Sequence, residues 1–186
     1  SYIVNPFLIS LITLFALTQN AADTAESFIK WMLLLILICV LPVYLVAVMF
    51  VRSGKMDSIF NNPREQRAPI YITGCICGII ALLVLIWLDA PDEFLVLLIA
   101  SILTAVLFLV INKRWKISVH TGSAAAFTVI MIILFGWVAA IIPLLLVVLV
   151  GWSRLELKQH TIHQIITGVL VPSAVITIVF MLFGFV

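Results

Sequence analysis

The chain has 186 residues, 65% of them apolar and only 10% charged, with a formal net charge of +2. Soluble domains carry about 25% charged residues, so this composition excludes an ordinary soluble enzyme and, with no basic domain outside the apolar runs, a nucleic-acid-binding module. The apolar stretches are continuous rather than alternating, which excludes a membrane β-barrel and predicts an all-α, polytopic helical membrane bundle formed by one domain over residues 1–186.

The first apolar run covers about residues 2–17 and lacks a basic leader or a small-residue cleavage pattern, so it reads as a span rather than a signal peptide. Asn5-Pro6 suits a helix entrance. Residues 19–26 read as a polar turn, with Thr24 a candidate cap for the next helix. That helix, about 27–51, carries Trp31 as an interfacial anchor and Pro42 as an expected kink. A long polar connection, 52–68, precedes a third run at about 69–88. An acidic turn, 89–93, leads into a fourth at about 94–111, and a basic island, 112–118, follows.

Residues 120–152 carry no charge. One helix of that length would rise roughly 50 Å against a hydrocarbon core of about 30 Å. Two helices breaking near Gly136-Trp137 fit better, although each is short. A polar stretch, 153–164, separates them from the last run, 165–186. The total is six to seven spans, with seven preferred. Cys39, Cys75 and Cys77 all fall in apolar runs and suggest neither a disulfide framework nor a zinc site.

Seven spans place the connections around 53–68, 112–119 and 153–164 on one face. That face holds Arg52, Lys55, Arg64, Arg67, Lys113, Arg114, Lys116, Arg154 and Lys158, and the other holds only Lys30. Positive charge accumulates on the cytoplasmic side, so an integral, multi-pass protein with its polar islands in the cytoplasm is expected. His120, His160 and His163 lie on the same face. Histidines and arginines together, without a metal cage, suit phosphoryl transfer. Arginine grips phosphate through a planar fork, and histidine serves as nucleophile or acid near neutral pH. Ser118 is placed to cap the helix that opens beside His120, and helix N-termini attract phosphate.

Ser153-Arg154-x5-His160, with Ser118-Val119-His120 upstream, resembles the type 2 phosphatidic acid phosphatase superfamily. The motifs of its membrane members are Lys-x6-Arg-Pro, Pro-Ser-Gly-His and Ser-Arg-x5-His-x3-Asp. The resemblance extends from about Lys55 onward and is most specific in the third motif. It implies a membrane-embedded lipid phosphatase that needs no cofactor or metal, with a lipid phosphomonoester or isoprenyl diphosphate as substrate. His160 would be the nucleophile that becomes phosphohistidine, and His120 would protonate the leaving oxygen. Arg154, Arg67 and Ser118 would hold the phosphate. Lys55, Arg64 and Lys116 are alternatives for the first motif's lysine, whose position is taken by Phe60. Ile117 and Val119 replace the proline and glycine of the second motif. Gln164 replaces the third motif's aspartate, one helical turn beyond His160, where its amide oxygen is expected to orient the imidazole. A lipid phosphotransferase and a non-catalytic lipid-phosphate binder or transporter are the alternative functions. The small residues Gly122 to Ala126 are expected to serve close helix packing, and the oligomeric state is left open.

Overall fold

The computed structural model describes residues 4–186 and is all-helical. The expected start of the first run at Tyr2 lies outside the described residues. Helix α1 runs Pro6–Ala21, and α2 runs Ala25–Arg52 with a π turn over Ile36–Val40. The remaining helices are α3 (Ala68–Trp87), α4 (Asp92–Asn112), α5 (Val119–Phe135), α6 (Ile141–Glu156) and α7 (Ile162–Leu182). Among the described residues, four helical segments are long and apolar enough to cross a membrane: α2, α4, α7 and α3 with its 3-10 lead-in from Arg64. Apolar side chains as large as Trp87, Leu83, Ile142 and Leu182 stand exposed on the outside of the bundle. This surface fits an integral membrane protein.

Local chemistry sets the ends of these helices. Asn5 caps α1 by accepting the N–H of Leu8 at 3.0 Å, with Pro6 at the first position, where its missing N–H costs nothing. The polar turn expected at 19–26 is shorter than its polarity suggests, because α1 continues through Gln19 and Asn20 to Ala21. Thr24 caps α2 in a reciprocal box with Ser27. The kink expected at Pro42 takes the form of the π turn. Pro42 has no N–H to give to Ile38, and a wider turn just before it moves the carbonyls clear of the ring. The uncharged stretch divides where expected. Helix α5 stops at Phe135, Gly136 follows with φ of 79°, and α6 begins at Ile141 with Pro143 in its first turn.

Helix α5 is central and packs against α1, α6 and α7, while α3 pairs with α4. The most apolar window of α2 is only 11% buried, against 33% for those of α4 and α7, so α2 is the least buried of the four long segments. The crossing of α5 and α7 is close because both carry glycine there. A Cβ on Gly168 would stand 2.6 Å from the Ser118 carbonyl oxygen and 2.8 Å from Thr121 Oγ1. A Cβ on Gly122 would stand 2.8 Å from Phe108 and 3.1 Å from the Gly168 carbonyl oxygen. Gly122 thus serves close helix packing, as expected, while Gly122, Ser123 and Ala126 also line the cavity described below.

Candidate active site

The three polar islands meet at one end of the bundle. Asn112 donates from its side chain to the Arg64 carbonyl at 2.7 Å, and Arg64 donates back to the Arg114 carbonyl at 2.6 Å. Arg67 donates to the carbonyls of Asn62 at 3.0 Å and Ile117 at 2.8 Å. The Ser118 N–H reaches the Gln164 carbonyl at 3.3 Å. Connections more than forty positions apart in the chain are therefore stitched together, the first to the second by bonds from side chain to backbone and the second to the third by a backbone–backbone bond.

The Ser-Arg-x5-His spacing has a geometric cause. Helix α6 ends at Glu156, and Lys158 adopts the left-handed conformation with φ of 52°. The chain then doubles back, and the Arg154 carbonyl accepts from the N–H groups of both Gln159, at 3.1 Å, and His160, at 3.4 Å. This reversal sets His160 over the last turn of α6. The Arg154 side chain, only 2% exposed, donates to Gln159 Oε1.

Gln164 has two roles. As the third residue of α7 it closes a capping box with Thr161, and its Oε1 accepts the Thr161 N–H at 3.2 Å. A backbone N–H can only donate, so that contact identifies the atom as the oxygen. The same oxygen lies 3.1 Å from His160 Nδ1. Nδ1 of a neutral imidazole must therefore carry the proton, which leaves the Nε2 lone pair available. Gln164 thus stands at hydrogen-bond distance from the imidazole it was expected to orient.

His120 is buried in the first turn of α5, whose cap is Ser118. Ser118 is fully buried, and its Oγ accepts the Thr121 N–H at 3.5 Å. Among the described residues, none gives the buried Nε2 of His120 a hydrogen-bond partner. Phe60 packs edge-on to His120 with ring centroids 6.4 Å apart. His160, Arg67 and His120 line one cavity of about 410 Å³.

Positive charge is concentrated here. Burial, then Arg67 and Lys116, hold the His160 imidazole down at about 4, opposed by the Gln164 hydrogen bond, with Arg154 adding to the depression. Burial, then Arg67 and Arg154, also hold the Lys116 ammonium below its ordinary value, while Glu65 pulls the other way. Like charges crowded together favour an anion among them.

Arg64 is the candidate that the structure keeps apart from the histidines. Its side chain is 44% exposed, pairs with Glu65 at 2.7 Å and braces the Arg114 carbonyl. Arg64 lies on a 3-10 turn and outside the cavity lining, while Arg67 turns inward. His163 lies exposed on α7 and outside the cavity lining. Three contributors had no clear signal in the sequence: Asn62, which holds Arg67; Gln159, which holds Arg154; and Phe60, which covers His120.

The depressed His160 has a testable pH consequence. Between its ordinary value of 6.5 and about 4, the unfolded chain binds a proton that the folded chain does not. Folded stability therefore falls as pH drops through that window. In a histidine-labelled NMR titration, the signal lost in His160→Asn is expected to remain neutral down to about pH 4. Arg67→Gln is expected to move its midpoint upward, and so is added inorganic phosphate. A midpoint near 6.5 that neither change moves would contradict the charge cluster.

In comparisons with known proteins, no family model, no curated protein and no solved structure matches this chain.

Proposed function

We propose that this chain is a multi-pass membrane lipid phosphatase that acts through a phosphohistidine on His160. In this reading all seven helices cross the bilayer, and the three shorter ones, at 16, 17 and 16 residues, are accommodated by local thinning. The site end faces the cytoplasm, by nine basic residues to one. The observation that carries the proposal is the single Gln164 oxygen held between the Thr161 N–H and His160 Nδ1, which fixes the tautomer a histidine nucleophile requires.

The chemistry has two steps. The Nε2 lone pair of His160 attacks phosphorus, and the bond from phosphorus to the lipid oxygen breaks. His120 gives its proton to that leaving oxygen. Water then attacks the phosphohistidine, losing a proton to His120, and the P–N bond breaks to release inorganic phosphate. Arg67, Arg154 and Lys116 hold the phosphate oxygens through both steps. The low proton affinity of His160 keeps its lone pair free before substrate arrives.

The test is phosphate release by purified protein from phosphatidate, phosphatidylglycerol phosphate and isoprenyl diphosphates. Rapid quenching is expected to trap an acid-labile, base-stable phosphoenzyme. A new phospholipid in place of free phosphate would identify a phosphotransferase instead. Binding without turnover, in wild type and in Gln164→Asp alike, would identify a binder.

A further inference from the structure

Ser10, Thr13, Thr104 and Ser123 line the cavity, and each hydroxyl donates its proton to a carbonyl three or four positions earlier in its own helix. Tyr71 lines the same cavity from the first turn of α3. It cannot bond back in this way, because its hydroxyl stands at the far end of an aromatic ring. The residue is only 7% exposed. Among the described residues, none meets its Oη with a hydrogen bond of ordinary geometry.

Packing holds the ring in place. It meets Phe108 edge-on, with centroids 6.3 Å apart and planes at 89°, and it belongs to a buried cluster with Ile117. The Ile117 carbonyl also receives the Arg67 guanidinium at 2.8 Å, so one residue positions both side chains. Arg67 comes one helical turn before Tyr71, and helical side chains lean towards the N-terminus of their helix. The phenol therefore leans back to the level of Arg67, and the guanidinium lies alongside it. Arginine offers only N–H donors. The Tyr71 oxygen can accept from Arg67, but the phenolic proton finds no acceptor there. Among the described residues, no carboxylate lines the cavity, while Arg67, Lys116 and Arg154 crowd the site with positive charge. An anion is the acceptor that these charges favour.

We propose that the Tyr71 hydroxyl is a phosphate ligand, donating its proton to an oxygen of the same group that Arg67 holds. It adds a neutral donor to the cationic ones, Arg67, Arg154 and Lys116. A phenol strengthens the grip on the anion without adding to the repulsion among those cations. The inference rests on the phosphate site proposed above and names a further ligand in it.

The experiment is calorimetric binding of inorganic phosphate to the full chain in nanodiscs, at a mildly acidic pH where the phenol stays protonated. Tyr71→Phe keeps the ring against Phe108 and removes only the hydroxyl. Its thermal midpoint should match wild type, and its phosphate affinity should fall about tenfold or more. A second measurement leaves the packing untouched. The chain has three tyrosines, so Tyr2→Phe with Tyr44→Phe leaves Tyr71 as the one site for 3-fluorotyrosine. Its fluorine NMR signal is expected to move as phosphate is added. Fluorination makes the phenol more acidic, hence a better donor and a poorer acceptor, so the labelled chain is expected to bind phosphate more tightly than the same chain unlabelled. A stationary fluorine signal would overturn the inference, and so would a Tyr71→Phe affinity equal to that of wild type. Weaker binding after fluorination would overturn it too, by showing a hydroxyl that only accepts from Arg67. A wild type that binds no phosphate would do the same. Release of phosphate from lipids, measured in parallel, decides the phosphatase reading separately. Binding that depends on Tyr71 without release would keep the ligand and remove the phosphatase. Release with an affinity indifferent to Tyr71→Phe would do the reverse.

Discussion

Replacing His160 with asparagine is expected to lower phosphate release on the order of ten-thousand-fold and to abolish the trapped phosphoenzyme. Asparagine keeps a polar side chain beside Gln164 Oε1, so the capping box between Thr161 and Gln164 should hold. The protein should therefore remain folded, with its thermal midpoint nearly unchanged. The companion variant separates the roles of the two histidines. In the proposed mechanism His120→Asn removes the proton donor for the leaving oxygen, a contribution of roughly a hundred- to ten-thousand-fold. That loss should be large for an alkyl phosphate and small for p-nitrophenyl phosphate, whose leaving oxygen needs no proton. His160→Asn should suppress both substrates alike. Equal sensitivity of the two variants to the leaving group would refute the assignment of nucleophile and acid.

The second large effect is expected at a position that touches no phosphate. Gly168 lies where α7 crosses the start of α5, and any Cβ there falls within 2.6 Å of the Ser118 carbonyl and 2.8 Å of Thr121 Oγ1. Neither neighbour can yield as a flexible side-chain tip would. One is backbone, and the other is a fully buried threonine whose hydroxyl bonds the same carbonyl at 3.1 Å. Gly168→Ala must therefore separate the helices, at about 1–3 kcal/mol, and Gly168→Val should cost more. Separation displaces Ser118 and with it His120 two residues on. Thermal unfolding in detergent should show the lowered midpoint, and phosphate release should fall further than stability alone explains. Gly54→Ala provides a control, since a Cβ there meets nothing within 4 Å, although its φ of 71° adds some local strain. If Gly168→Ala proves as mild as Gly54→Ala, the close crossing does not position the site.

Much of the helix plan was legible from residues whose physics is local. Gly136 can take a positive φ at little cost, so the break in the uncharged stretch showed itself. Asn5, Thr24 and Ser118 cap the helices that follow them because their side chains reach only one turn forward. The contact between Gln164 and His160 was legible for the same reason, as it spans one helical turn. Other features depend on partners distant in the chain. Arg67 and Arg64 were both candidates for the phosphate, and only the packing of the 53–67 connection on Ile117 turns Arg67 inward while Arg64 stays exposed. Phe60 looks like an ordinary loop aromatic until it meets His120. The cavity was least legible of all. In a soluble protein an apolar face points inward, but in lipid both inside and outside are apolar. Hydropathy therefore cannot distinguish Leu97 and Leu98, which are buried against the cavity, from Leu103 and Leu107, which face out.

The chain reversal after α6 imposes an unusual kind of constraint. The Arg154 carbonyl receives the N–H groups of the residues five and six positions later, and both bonds are made by backbone. Glu156, Leu157 and Lys158 point their side chains away, all exposed. The segment therefore works as a ruler. The length of the interval is fixed, while the letters at 156–158 are nearly free. Drift at those three positions is neutral for the site so long as one of them tolerates a left-handed backbone, whereas adding or removing a single residue separates the two ends that the interval measures. A descendant of this chain could change Glu156, Leu157 and Lys158 and keep the reversal, with Gln159 still holding Arg154, whereas a frame shorter by one would lose the reversal with those letters intact.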